Sequence, residues 1–268
     1  MSVAQRAAFR CGKGKHDMRQ LKSSRRKAGA TAALSGCSIC PLAALQLCIE
    51  QGQSKKYRDL KVGQIVGVAV SRRPFCLEEE VKSLIPIICS GWAAAYVNLP
   101  NGSRQILSFI LPGEVPSASL FFSGAEYVWV EAISNVHYRS FNRSDFMRDI
   151  SGRPETFALI ADVWTKEKRR ADWLIVDLGR RSAGERIASL LTDLVDRLQQ
   201  RGLVAPDGSM EFPLRHRHIA DATGLTPVHV SKVLSEFRRR GLLTLAERVL
   251  TIKDTNALRR SAGQPYLS

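Results

Sequence analysis

Residues 213–243, PLRHRHIADATGLTPVHVSKVLSEFRRRGLL, contain two helical patterns separated by a glycine. Apolar residues recur on one face of each pattern, and the second pattern runs from about residue 226 to residue 240: Ile219, Ala220, Ala222, Val230, Val233, Leu234 and Phe237. Gly224 suits the turn because only glycine adopts a positive φ at little cost. Thr226 can cap the second helix, and Pro227 suits its first position, where a backbone N–H is not needed. The stretch therefore predicts two helices joined by a tight turn.

The outward side of the second helix would present side chains that can reach base edges or phosphates of DNA. With two residues at the helix starts, the candidate DNA-binding residues are Arg215, Thr226, Val228, His229, Ser231, Lys232 and Arg239. This arrangement is typical of a helix-turn-helix with a recognition helix. An ordinary helical hairpin is the alternative, but it does not account for the arginines at 238–240. It also leaves unexplained the apolar runs at 242–245 and 249–252, which predict a β-hairpin wing that residues 210–214 can join.

The match extends beyond the motif. Residues 178–203, LGRRSAGERIASLLTDLVDRLQQRGL, and 212–234, FPLRHRHIADATGLTPVHVSKVL, closely resemble the DNA-binding half of Crp/Fnr-type bacterial transcription regulators. Residues 105–116, QILSFILPGEVP, resemble the end of the sensory β-roll of that family. The resemblance implies an α+β fold with an N-terminal cyclic-nucleotide-binding-like antiparallel β-roll, a long dimerisation helix and a C-terminal winged helix-turn-helix. It also implies a homodimer that binds a pseudo-palindromic operator in double-stranded DNA and contacts RNA polymerase.

The chain divides into four predicted parts. Residues 1–36 form a basic arm, 37–150 the sensory β-roll with a cysteine motif, 151–180 the dimerisation helix, and 181–260 the DNA-binding domain. In the roll, alternating runs at 93–99 and 105–111 flank Asn101-Gly102, the strongest short-range signal of a β-hairpin. Further strands are expected at 127–133 and 136–141.

A heptad pattern occupies the predicted helix 154–178. Its a and d positions would be Phe157, Ile160, Trp164, Ala171, Leu174 and Leu178, flanked by Ala161 and Ile175. Such a face could pack on its own β-roll, but pairing with a second copy is favoured because a dimer must span two half-sites. The resemblance aligns Ala171 with a position that holds an aspartate in the Fnr branch. The face is then largely neutral, with only Glu167 and Lys168 near it and of opposite sign, so we predict a dimer that forms without a cofactor.

Three cysteines lie close together in CSICPLAALQLC, where Cys37, Cys40 and Cys48 have the spacing Cys-x2-Cys-x7-Cys. Such thiolates can hold an iron–sulfur cluster or zinc, and a redox-active thiol set or a vestigial motif remain alternatives. The segment resembles the N-terminal motif of the Fnr and FnrN branch, whose members bind an oxygen-labile [4Fe–4S] cluster. Arg139 stands where that branch has its fourth cysteine, and the candidates to replace it are His137, Cys76 and Cys89.

Two further departures from the family bear on ligand and operator. Residues 115–130, which follow Gly113-Glu114, contain no Arg or Lys, so a cyclic nucleotide phosphate would lack a cationic partner and we expect no cyclic nucleotide. The resemblance implies a base-reading triplet Glu-x2-Ser-Arg, whereas this chain has Val228, Ser231 and Lys232. Without the acidic member, we expect an operator that differs from the usual Fnr sequence.

The 268 residues carry a net charge of +15, which favours a polyanionic partner. Residues 1–27 hold nine Lys and Arg residues against Asp17 alone, which is typical of a disordered arm. No stretch reaches the apolar length of a membrane span, and AGATAAL at 28–34 is short for an export signal, so a cytoplasmic protein is expected. No phosphate loop, His-Glu-x2-His motif or catalytic triad indicates an enzyme. A zinc- or thiol-based redox or adaptor protein is the alternative of another class.

Overall fold

The computed structural model describes residues 64–69, 74–75, 84–122, 129–150 and 154–263. The predicted basic arm at residues 1–36 lies outside these residues, as do Cys37, Cys40, Cys48 and Cys76. Within the described ranges the fold is α+β, as the sequence predicts.

The N-terminal half consists of antiparallel strands that form two sheets. The strands are β1 (Gln64–Ala69), β2 (Pro74–Phe75), β3 (Leu84–Ser90), β4 (Ala93–Asn98), β5 (Arg104–Ile110), β6 (Trp129–Ala132) and β7 (Val136–Asn142). Their order is β1-β7-β3 in one sheet and β2-β6-β4-β5 in the other. A short 3-10 helix, Ala118–Phe121, follows β5. The Asn101-Gly102 turn joins β4 to β5, with Gly102 at φ +84°, and this confirms the predicted hairpin.

Alternation along the hairpin buries both of its faces, because successive side chains of a strand point to opposite sides. Ala94 and Ile106 contribute to a core shared with the C-terminal domain. Ala93 and Ala95 face a second apolar cluster, which lies inside the roll with Val130. The hairpin therefore forms the side of the roll that faces the C-terminal domain.

The C-terminal half begins with α1 (Arg143–Ile150) and the 27-residue helix α2 (Pro154–Arg180). It continues through α3 (Ala183–Gln199), β8 (Ser209–Glu211), α4 (His216–Thr223), α5 (Pro227–Arg239), β9 (Leu243–Ala246), β10 (Val249–Ile252) and α6 (Thr255–Ser261). Strands β8, β10 and β9 pair antiparallel in that order, which confirms the predicted wing. None of the helices in the described part of the chain combines the length and the apolar composition that a membrane crossing requires.

One continuous core joins the roll to the C-terminal domain. Trp92, next to β4, meets Phe212 edge to face, with ring centroids 5.9 Å apart. Both side chains are almost fully buried, and the same core includes Ile187 and Leu191 of α3 and Leu234 of α5. Since aromatic pairs contribute about 0.5–1.5 kcal/mol beyond their burial, this contact helps to hold the C-terminal domain against the roll.

The residues that α2 exposes are not all those that the heptad pattern predicts. Ile160 is only 1% exposed and lies beside Phe121 and Phe146, so it packs inside its own chain and its assignment to the dimer interface is wrong. Leu174 and Leu178 are half-buried. Six of the exposed residues on α2 follow one another at alternating spacings of four and three, and so share one face: Phe157, Ala161, Trp164, Lys168, Ala171 and Ile175. We call these six residues the α2 stripe.

The side chains of the two charged residues near this face, Glu167 and Lys168, point to different sides of α2. Glu167 turns inward, where its carboxylate accepts hydrogen bonds from the Ala118 backbone N–H at 2.6 Å and the Ser117 hydroxyl at 3.0 Å. Lys168 stays in the stripe and pairs with Asp172 one turn later. The stripe is therefore less neutral than the sequence suggests, because Glu167 does not offset Lys168 there.

Candidate nucleic-acid interface

The turn between α4 and α5 is a close approach that requires glycine. Gly224 ends α4 at φ +66°, ψ +30°, and its N–H donates to the Ala220 carbonyl. A Cβ at this position would lie 3.1 Å from Leu178 Cδ2. Arg186 supports the turn from α3 by donating to the Thr223 carbonyl at 3.2 Å. The positive φ and the lack of space both explain the glycine.

Helix α5 begins as its sequence predicts. The Thr226 hydroxyl accepts from the His229 backbone N–H at 3.3 Å, and Pro227 occupies the first turn. The inner face is fixed by Val230, Leu234 and Phe237, each at most 3% exposed. Because these residues bury one side of the helix, the opposite side is presented to solvent along its length.

The outer face of α5 forms a shallow groove that contains most of the predicted DNA-binding residues. It is lined by Pro227, Val228, Ser231, Lys232, Ser235, Glu236 and Arg239. Val228 is 63% exposed, so its side chain is accessible to a partner that occupies the groove. Arg239 pairs with Glu236 at 2.6 Å, and both side chains are largely exposed. Ser235 was not predicted, although its position one helical turn after Ser231 places it on the same face.

The remaining predicted residues lie at the helix starts. His229 is exposed, and its Nδ1 lies 3.1 Å from the Thr226 hydroxyl, so this side chain is held at the N-terminus of α5. Arg215 precedes α4, and its backbone N–H donates to Nδ1 of the buried His218. The groove therefore brings together Val228, Ser231, Lys232 and Arg239, while Arg215 lies outside it.

The wing supplies a cation that the sequence analysis missed. Glu247 and Arg248 form the tip between β9 and β10, at φ +49° and +64°. Such values are uncommon for non-glycine residues. Arg248 is exposed at this tip. The positive φ at two successive positions is what a two-residue hairpin turn requires, so the spacing of the two apolar runs could have indicated it.

A salt-bridge pair fixes the first helix of the motif on the roll. Arg104 of β5 contacts Asp221 of α4 at 2.7 Å and Glu131 of β6 at 2.6 Å. Burial alone would lower the pKa of Arg104, but these two carboxylates raise it above its usual value. Gln105 adds a hydrogen bond to the Ala222 carbonyl at 3.2 Å. The helix pair is thus held from both sides, by β5 and by α3.

An exposed helix with polar and basic side chains, anchored on its inner face beside a β-wing, defines a DNA-binding protein of the winged helix-turn-helix class. Residues 185–261 match the profile of a Crp-like helix-turn-helix domain. The chain is 31% identical over 226 residues to the transcriptional activatory protein AadR of Rhodopseudomonas palustris, covering 82% of this chain and 91% of AadR.

Two further comparisons agree. The fumarate and nitrate reduction regulatory protein of Yersinia pestis is 26% identical over 248 residues, with 85% of this chain and 91% of that protein covered. The structure of FixK2 from Bradyrhizobium japonicum superposes with a TM-score of 0.65 at 25% identity, covering 76% of this chain and all of FixK2. The chain belongs to the Crp/Fnr family of transcription regulators, and it binds DNA through its helix-turn-helix.

Proposed function

We propose that this protein acts as a homodimer that reads a pseudo-palindromic operator with α5 of each subunit and regulates transcription from it. The observation that carries the proposal is the outer face of α5, where Ser231 and Lys232 lie in an exposed groove while Val230 and Leu234 hold the helix from behind. Polar side chains in the first turns of such a helix reach base edges, and arginines near its end contact phosphates. Contact with RNA polymerase and a cytoplasmic location complete this proposal.

The α2 stripe supports the dimer. Phe157, Trp164 and Ile175 are 57–70% exposed in the single chain, on a face that follows a heptad spacing. Phe122 adds to it by packing against Trp164, with the rings tilted by 47° and their centroids 5.5 Å apart. Large apolar side chains rarely form so regular an exposed row unless another surface covers it. A second α2 helix is the partner whose geometry matches, because identical heptad faces pack against each other.

Lys168 modifies the earlier expectation of a neutral interface. Two copies of this residue would approach each other in a parallel pair of α2 helices, and like charges brought together out of water weaken association. The ion pair with Asp172 of the same chain reduces that repulsion. We therefore still propose a dimer that forms without a cofactor, held by the aromatic residues at the start of the stripe and by Ile175.

A redox- or oxygen-responsive role is proposed through Cys37, Cys40 and Cys48, which would hold a [4Fe–4S] cluster. When bound, such a cluster supplies sensitivity to oxygen. Two of the candidates for the fourth ligand are neighbours in the structure: Cys89 lies at the bulge of β3, where the strand register shifts beside His137 of β7. Within the described ranges, no three His, Cys, Asp or Glu side chains converge as a metal site. A vestigial motif in a regulator that responds to another ligand, or to none, is the alternative.

DNA recognition is tested on a duplex selected from a random pool by the protein itself. Lys232→Ala and Ser231→Ala should each weaken binding to the selected duplex by about tenfold or more, because a base contact contributes about 1–3 kcal/mol. Binding to random duplex should change far less. Arg148→Ala, an exposed arginine of α1, is the matched control. Parent-like affinity for the selected duplex in both variants would contradict the assignment of α5.

The cysteine proposal is tested by iron and acid-labile sulfide analysis of anaerobically purified protein. Cys37→Ser, Cys40→Ser and Cys48→Ser should each abolish bound iron, whereas Cys11→Ser should retain it. Protein that is colourless and free of iron, yet binds the selected duplex, would leave the regulator assignment intact and remove the cluster.

A further inference from the structure

A crevice of about 500 Å³ separates α2 from α3, next to β5. Its lining contains eight Lys and Arg residues against four Asp and Glu residues. Of its lining residues only Ala222 and Thr223 belong to the helix-turn-helix, and the assembly of the winged helix-turn-helix does not account for the charge of the crevice. Surplus positive charge in a partly enclosed space is costly unless an anion offsets it.

The carboxylates of the crevice are already engaged in ion pairs. Glu114 contacts Arg197 at 2.5 Å and Arg201 at 2.8 Å. Asp193 also contacts Arg197, at 2.7 Å, and the pKa of Glu114 falls to about 2 despite its burial because both arginines face it. Of the other two, Asp196 pairs with Arg259 and Asp177 with Arg181. Each of these four acids therefore already has a basic partner at ion-pair distance.

Arg170 of α2 is a cation of the crevice that forms no ion pair with a described residue. The carboxylates of Glu114, Asp193 and Glu167 lie near it and favour its charge, but none of them is a hydrogen-bond partner of its Nε. Its Nε is fully buried and has no hydrogen-bond partner within the described part of the chain. Burial and, after it, the like charge of Arg197 lower the pKa of Arg170. The neighbouring Arg169, also in the lining, forms no ion pair with any described residue. A buried donor without an acceptor is unfavourable, so the site favours an incoming acceptor.

Large apolar side chains form another part of the lining. Trp173 and Leu174 of α2 stand across the crevice from Leu190 of α3 and Phe109 of β5. Arg181 covers Trp173 at 5.1 Å from the ring centroid, which holds the indole in place. A ligand would therefore meet guanidinium groups with its charged end and aromatic or aliphatic surface with its body.

We propose that this crevice binds a small organic oxyanion, with its carboxylate or phosphate group on Arg170 and its apolar body against Trp173 and Leu174. A planar guanidinium matches both kinds of oxyanion because it donates two parallel hydrogen bonds. Since Arg197 belongs to the DNA-binding half and Glu114 to the roll, the bound group lies where the two halves meet. The binding itself does not depend on the proposed DNA recognition.

The test is isothermal titration of the full chain, without DNA, in a chloride buffer of fixed ionic strength. Phenyl phosphate and 3-phenylpropionate are the two organic probes, and inorganic phosphate is the third. At least one organic probe should bind with a Kd of about 0.1–1 mM, and more tightly than inorganic phosphate, which lacks an apolar body. The better of the two organic probes identifies the class of oxyanion.

Variants assign the site. Arg170→Gln should weaken binding of the better probe about tenfold or more. Arg170→Lys should weaken it less, because lysine keeps the positive charge but cannot donate two parallel hydrogen bonds. Arg180→Gln, an exposed arginine on the same helix outside the crevice, should stay within about twofold of the parent. Thermal melting of each variant checks its folding. Absence of binding by all three probes up to about 10 mM, or equal binding by parent and Arg170→Gln, would overturn the proposal.

Discussion

Glu114→Gln should be the most informative single change for the connection between the roll and the DNA-binding half. Glu114 lies in the turn after β5, and its carboxylate forms ion pairs with Arg197 of α3 and with Arg201 just after that helix. The same carboxylate also accepts a hydrogen bond from the Leu111 backbone N–H at 3.0 Å. Only 11% of this side chain and 8% of Arg197 are exposed. Glutamine keeps the shape but removes the charge, so the variant isolates the ionic contribution.

The magnitude follows from the titration of the carboxyl group. Its pKa falls from 4.5 to about 2, and each unit corresponds to about 1.4 kcal/mol, so the charged form stabilises the fold by roughly 3 kcal/mol. Measured losses of about 3–5 kcal/mol on breaking buried ion pairs agree with this value. We therefore expect Glu114→Gln to lower the free energy of unfolding by about 3 kcal/mol at pH 7.

The stabilisation that the ionised Glu114 carboxylate provides must decrease as the pH falls. A carboxyl group with a depressed folded-state pKa contributes fully above its unfolded pKa of 4.5, and the contribution is lost as the pH falls toward about 2. At about pH 3 roughly half of it should remain. The difference between parent and Glu114→Gln should therefore shrink from pH 7 to pH 3.

Urea unfolding at one protein concentration, followed by tryptophan fluorescence at both pH values, measures this difference. Glu236→Gln is the control, because its ion pair with Arg239 is exposed and should contribute less than about 1 kcal/mol. A loss below about 1 kcal/mol at pH 7, or a loss that does not change with pH, would refute the reasoning.

Two further changes test the turn and the α2 stripe. Gly224→Ala should lower the free energy of unfolding in urea by about 1–2 kcal/mol, because the residue has a positive φ and little space for a Cβ. Gly184→Ala, inside α3 with no heavy atom within 4 Å of the added Cβ, should be neutral or stabilising. Equal effects of the two changes would contradict the backbone strain expected at Gly224. Ile175→Glu should weaken self-association at least about tenfold in sedimentation, because it places two carboxylates in the interface. Met147→Glu on α1 is the control and should leave self-association unchanged. An unchanged dimer in Ile175→Glu would exclude α2 as the dimer contact.

The sequence predicted the elements whose signals are local. Gly224 needs only its own φ, Thr226 and Pro227 need only the first turn of α5, and Asn101-Gly102 needs only the four residues of its turn. The burial of Val230, Leu234 and Phe237 follows equally directly, because helical spacing fixes which residues share a face. These interactions span at most a few residues, so their partners could be read from the chain itself.

The structure alone decided the features that depend on partners far along the chain. The heptad pattern of α2 is compatible with either of two adjacent faces of the helix as the exposed one. Only the burial of Ile160 against the roll shows that the exposed stripe contains Ala161 and Ile175. Glu114 and Arg197 are 83 residues apart, and Arg104 and Asp221 are 117 apart. No periodicity relates such positions. Their pairing, and the buried Nε of Arg170 that has no hydrogen-bond partner, exist only because the β4–β5 side of the roll packs against the C-terminal domain.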